Sequence, residues 1–104
     1  MKIRHTVIFT FYDETPEEQR QEVISRLNEM GVWLTENLGV TDWTVSEHIP
    51  ETFRKGRAHL LQDGIFPSLE AMARHAQSDA HKRVVELTPK VCDWMTVDTV
   101  IEEG

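Results

Sequence analysis

The sequence predicts an α+β, ferredoxin-like split βαβ fold with a four-stranded antiparallel sheet. Three observations lead to it. Four segments alternate apolar and polar residues with the period of a strand, stretches with helical spacing lie between them, and the order is strand, helix, strand, strand, helices, strand. A chain of 104 residues is expected to form one domain over 1–104.

The first strand is "IRHTVIFTF", with Ile3, His5, Val7, Phe9 and Phe11 on one face and Arg4, Thr6, Ile8 and Thr10 on the other. "DETPEE" supplies a helix start, with Thr15 as N-cap, Pro16 at the first helical position and Glu18 completing a capping box. Val23, Ile24, Leu27, Met30, Gly31 and Leu34 then recur every three or four residues, so one stripe of this helix is apolar, and Gly39 marks its stop. "VTDWTVSEH", residues 40–48, alternates as a second strand. "IPETFRKG", with Pro50 and Gly56, reads as a polar loop, and "RAHLLQDGIF" as the third strand. A short helix capped by Ser68 and another capped by Ser78, with Pro89 near its end, precede the closing strand "DWMTVDTVI".

Helices on one side of a four-stranded sheet leave the other side bare. That face carries Ile8, and Trp43 or Trp94 is expected to add aromatic surface to it. Packing sheet against sheet in a two-fold homodimer is the expected remedy, because a small domain buries too little surface to leave such a face exposed.

Composition narrows the function. Eighteen Asp plus Glu against eleven Lys plus Arg give a formal charge of -7, which repels phosphate backbones, so neither nucleic acid nor an anionic membrane is expected as a partner. No segment has the length or apolarity of a membrane span, and the N-terminal stretch is interrupted by polar residues, so no signal peptide is expected. The single cysteine, Cys92, has neither a disulfide partner nor a zinc spacing, which suits a cytoplasmic location. There is no GxSxG elbow, no phosphate-cradling glycine loop and no metal-ligand spacing, and neither a metal nor a cofactor is expected.

Five histidines remain. If Ser78 caps its helix, His81 lies in line with Val84, Val85 and Thr88 and points at the sheet. At a helix N-terminus the positive end of the dipole disfavours imidazolium. His81 is then either a core imidazole satisfied by backbone or water, or a neutral general base. His5 shares the apolar face of the first strand, so both rings point into the layer between helices and sheet. His75 and His81, six residues apart, do not share one face of a continuous helix. A grouping of His5, His59 and His81 depends on strand register. His48, Tyr12 and Asp13 read as solvated strand-end and loop residues.

Together "IRHTVIFTF", "TPEEQRQEV", "AHLLQDGIFPSLEAMARHAQSDAHKRVVE" and "TVDTV" resemble the stress-responsive dimeric α/β-barrel family, Dabb, over nearly the whole chain. The family's His-Pro-x-His pattern is incomplete, since Ser78 and Asp79 stand where its first His and Pro would be. The resemblance implies a ferredoxin-like monomer paired into a barrel, with a cavity between helices and sheet. Within that family, polyketide cyclases of the olivetolic acid cyclase kind close a linear polyketide by aldol condensation while keeping its carboxylate. By that likeness the inward histidines correspond to His5, His59 and His81, with His81 taking the proton. A helper tyrosine is replaced by His75 and a pocket tyrosine by Leu27. The implied walls are Val7, Phe9, Val23, Ile24 and Leu27.

The expected function is therefore binding of a small carbonyl-containing organic molecule, followed by cofactor-free lyase, cyclase or isomerase chemistry. His81 is the candidate base, His5 its orienting or electrophilic partner, and His59 and His75 are auxiliary. The alternative is a non-catalytic stress-response or ligand-binding barrel, because fold does not fix function.

Overall fold

Alternation along the first strand decides which side of the sheet is covered. In a computed structural model of the chain, which describes residues 1–52 and 58–101, strand β1 (Lys2–Phe11) buries Ile3, Val7, Phe9 and Phe11 beneath the helices. Helix α1 (Glu17–Leu38) lays Val23, Leu27, Met30 and Leu34 over that face, and Gly39 ends it in the left-handed conformation at φ 69°. Strands β2 (Thr41–Glu47) and β3 (Leu60–Phe66) follow, then helices α2 (Leu69–Ala76), α3 (Asp79–Val85) and α4 (Thr88–Val91), and strand β4 (Cys92–Ile101). The sheet order is β2-β3-β1-β4 and all its pairings are antiparallel, so the expected ferredoxin-like architecture is what the chain adopts.

Several local expectations change. The first helix starts at Glu17, and Pro16 occupies the N-cap with extended backbone and no side-chain cap. No capping box forms, because the Thr15 hydroxyl is taken by the Val91 carbonyl at 2.9 Å, tying the helix start to the entry of β4. Ser68 and Ser78 do cap their helices, accepting from the backbone N–H of Ala71 and of His81. The helix begun at Ser78 stops at Val85 and restarts as α4 with Pro89 in its first turn. Proline has no N–H to give, and its ring obstructs the carbonyl four residues earlier. Strand β3 begins at Leu60, leaving His59 before it, while Gly56 and Arg57 lie outside the described residues.

The largest correction concerns the tryptophans. Between Thr41 and Thr44 strand β2 carries one extra residue opposite β3, and Asp42 there has a positive φ of 54°. Such a bulge re-aims the next side chain. Trp43 therefore turns under the helix, packs between Gly31 of α1 and Gly64 of β3, and donates its indole N–H to the Leu27 carbonyl at 3.2 Å. Trp94 pairs with Phe9 across β1 and β4, which places it on the helix side as well. Neither supplies the bare face. That face is instead a row of Leu61, Ile8 and Met95 across three strands, with Val97 beside it. Met95 and Val97 are 68% and 53% exposed.

Gly31 shows which of two opposing effects wins. Alanine in place of a mid-helix glycine ordinarily gains about 1 kcal/mol, but a Cβ here would run into the Trp43 indole. Gly31→Ala is expected to lose about 1–3 kcal/mol through overpacking, as measured by urea unfolding.

Candidate functional site

Between the sheet and helices α1, α2 and α3 lies a cavity of about 200 Å³. Its floor is the helix side of three strands: His5, Val7 and Phe9 from β1, Gln62 from β3, and Trp94 and Thr96 from β4. Leu27 and Met30 come from α1, Met72 and His75 from α2, and His81, Val84 and Val85 from α3. The walls are mostly apolar, with no Asp, Glu, Lys or Arg among the described residues that line it.

Three histidines meet here by three local routes. His5 lies on the covered face of β1 because it keeps step with Ile3 and Val7. His75 is on the last turn of α2, and the chain reverses at Ser78, whose hydroxyl donates to the His75 carbonyl at 2.8 Å while its oxygen caps α3. That turn brings His81 back over His75. Their ring centroids are 4.8 Å apart, and His5 is 5.7 Å from His75. Phe66 closes the group, 5.2 Å from His75 and 5.6 Å from His5.

Each ring is set differently. Nδ1 of His5 is 2.5 Å from Asp98 Oδ1, and Asp98 stands opposite His5 in the β1/β4 register. With Nδ1 committed to the carboxylate, Nε2 is the nitrogen left for the cavity. Burial pushes the His81 pKa below the ordinary histidine value, the bond it makes to the Ala76 carbonyl opposes this, and His5 lowers it further. His81 is thus neutral near pH 7. Donating one ring N–H to the Ala76 carbonyl leaves its other nitrogen as a lone-pair acceptor. His75, only 5% exposed, is lowered to about 4 by burial first and by the neighbouring His81 and His5 next, with Asp98 acting in the opposite sense.

Two buried polar atoms in this cavity, Nδ1 of His75 and Nε2 of Gln62, have no hydrogen-bond partner among the described residues. Interiors rarely tolerate that without a ligand or water to complete the bond. Among the described residues no cluster of three or more His, Cys, Asp or Glu is arranged to hold a metal.

The structure brings together His5, His75 and His81, with Val7, Phe9 and Leu27 on the walls. It does not bring His59. Pairing of Phe9 with Leu60 puts that residue five positions from Gly64, the partner of His5, roughly 17 Å along the strand. There its ring stacks on Phe11 and accepts the Phe11 backbone N–H at 2.9 Å. Val23 is packed in the core and Ile24 against it, both away from the cavity lining. His48, half-buried at the far end of β2, faces the Thr52 hydroxyl. Cys92 is fully buried, its thiol donating to the Thr88 carbonyl and pushed up to about 11 mainly by burial.

Asp98, Gln62 and Trp94 were not among the expected site residues. Strand alternation assigns each a face, but only the register places Asp98 opposite His5, and register follows from pairing.

Comparison with known proteins adds the following. The model of the stress responsive A/B barrel domain family matches residues 3–101. No curated protein matches the chain at a significant level. Among solved structures, a dimeric ferredoxin-like protein of unknown function from Thermobifida fusca superposes with a TM-score of 0.80 at 16% identity, covering 97% of this chain and 92% of that one. The hydroxynitrile lyase of Passiflora edulis gives 0.79 at 15% identity, covering 99% and 95%. A Dabb family protein from Mesorhizobium loti gives 0.71 at 20% identity, covering 98% of each.

The neutral histidines, His75 buried and His81 half-buried, make stability depend on pH. Their folded-state pKa lies below the unfolded value, so the unfolded chain binds more protons between the two, and stability falls as pH drops through that window. Urea unfolding should show full stability above about pH 6.5 and a loss on the order of 2–3 kcal/mol by pH 4 from His75. His75→Asn should flatten the slope, leaving the part due to His81.

Proposed function

The chain belongs to the stress responsive A/B barrel domain family, Dabb, and we propose that its histidine cavity holds a small carbonyl-containing organic molecule and moves a proton on it without a cofactor. The observation that carries this reading is the pairing of unlike histidines on one apolar cavity: a neutral His81 with a free acceptor nitrogen, and a His5 held in place by Asp98.

In this reading His81 takes a proton from the carbon next to the carbonyl. The C–H bonding pair passes into the developing enolate, whose negative charge faces the imidazolium just formed on His81, while His5, its Nδ1 held by Asp98, orients the carbonyl compound beside it. His75, too reluctant to charge near pH 7, packs against both rings. The enolate then takes a proton at another position, or attacks a second carbonyl of the same molecule, which are the isomerase and cyclase outcomes. A hydroxynitrile lyase with the same fold supports the suitability of this framework for lyase chemistry. Fold likeness at 15% identity carries no residue roles.

We further propose that the working form is a homodimer. The uncovered Leu61–Ile8–Met95 row with Val97 is an apolar sheet face of the kind a second copy covers, and the similar T. fusca protein is dimeric. The lone buried thiol of Cys92 and the acidic surface suit the cytoplasm, the location we assign. No described helix is long and apolar enough to cross a membrane.

Proton transfer is tested by following α-proton exchange of a panel of small ketones and β-dicarbonyl compounds in D2O by NMR. Exchange dependent on the protein is expected, falling at least about 100-fold in His81→Ala, whereas saturable binding with no exchange anywhere in the panel would favour a binding-only barrel. Assembly is tested separately: Met95→Glu, exposed in the single chain, is expected to sediment as a folded monomer, and a persisting dimer would place the interface elsewhere.

A further inference from the structure

Gln62 is 1% exposed, sits on the cavity floor opposite Val7, and has an amide nitrogen that no described residue satisfies. A packed core does not keep an unpaired amide donor where leucine would fit, since an unmet buried donor costs free energy and an apolar replacement does not. The cation content of the walls points the same way. No Lys or Arg among the described residues lines the cavity, the Asp98 carboxylate stands behind His5, and the chain carries -7 overall. A carboxylate brought here would find no counter-charge and would be desolvated against an acidic background.

Size adds a limit. A cavity of about 200 Å³ lies below the usual range for drug-sized ligands and near that known to admit a single benzene ring. Phe9, Trp94, Met30 and Met72 offer it the aromatic and thioether surfaces that pack well against a ring.

We infer that the ligand is an uncharged, ring-sized carbonyl compound whose oxygen accepts the Gln62 amide N–H, and that the site discriminates against carboxylates. This rests on the reading of the histidine cavity as a carbonyl site and narrows its substrate class, excluding an acid of the kind the polyketide cyclase likeness implies.

The test uses two probes of equal size, acetophenone and benzoate, added separately to the isotope-labelled full chain at pH 7. NMR follows the Gln62 side-chain amide and the His81 ring. Acetophenone is expected to shift both signals, and benzoate to bind at least about tenfold more weakly. Benzoate binding as tightly as the ketone overturns the proposal. A ketone that shifts His81 and leaves the Gln62 amide unmoved overturns the anchor while the carbonyl-site reading stands. If neither probe shifts a cavity signal the inference fails, and the exchange assay reports independently on the carbonyl site.

Gln62→Leu supplies a second readout. It is expected to weaken acetophenone about tenfold and, in the free protein, to raise the unfolding midpoint by roughly 4–8 °C, because an unpaired donor has been removed. Unchanged affinity or a lowered midpoint would mean that Gln62 is an ordinary structural residue.

Discussion

The spacing of the helix layer above the sheet depends on one flat ring. Trp43 reaches its place because a bulge with a left-handed Asp42 turns it inward, and it fits because Gly31 above and Gly64 below have no side chains. Its N–H is satisfied by the Leu27 carbonyl, so burying the indole leaves no polar debt. Helix α1 is thereby pinned over the β2 and β3 half of the sheet. The β1 and β4 half is roofed by α2 and α3, which are short and meet at the Ser78 turn, and that is where the cavity lies.

Much of the fold was legible because it rests on local physics. Period-two alternation assigned the faces of β1 correctly, and serine caps marked the starts of α2 and α3. The inward aim of His5 and His81 followed from the same signals. What could not be read locally was anything fixed by pairing or by a break in regularity. His59 is eligible by residue type but is five positions out of register, and Asp98 lies 93 residues from the ring it orients. Trp43 defied its strand period because a bulge interrupted it. The spacing of His75 and His81, wrong for one helix, became right once the chain reversed between two.

The cavity runs against the ordinary economy of a small domain. It encloses about 200 Å³ and holds one buried and one half-buried imidazole driven towards neutrality and one buried amide with no hydrogen-bond partner among the described residues, in a chain that also leaves a sheet face uncovered. Each lowers stability relative to an apolar filling. The surrounding packing is correspondingly thorough, with Leu34, Phe66, Val40 and Cys92 wholly shielded from solvent. Such a division between a tightly packed frame and a polar, underfilled pocket is how a protein keeps catalytic or binding groups in orientations they would not choose alone.

Strand order carries a further consequence, in time as well as space. The sheet is ordered β2-β3-β1-β4, so the strand made before the other three is flanked by β3 and β4. Until β4 emerges, β1 has one open edge and His5 has no carboxylate, while Trp94 and Thr96 are absent from the cavity floor. Pairings between distant parts of a chain form slowly, because the intervening loop must close first. A nascent copy therefore spends its synthesis with an apolar strand edge exposed and no finished pocket, and both the sheet and the site are completed by the same late event.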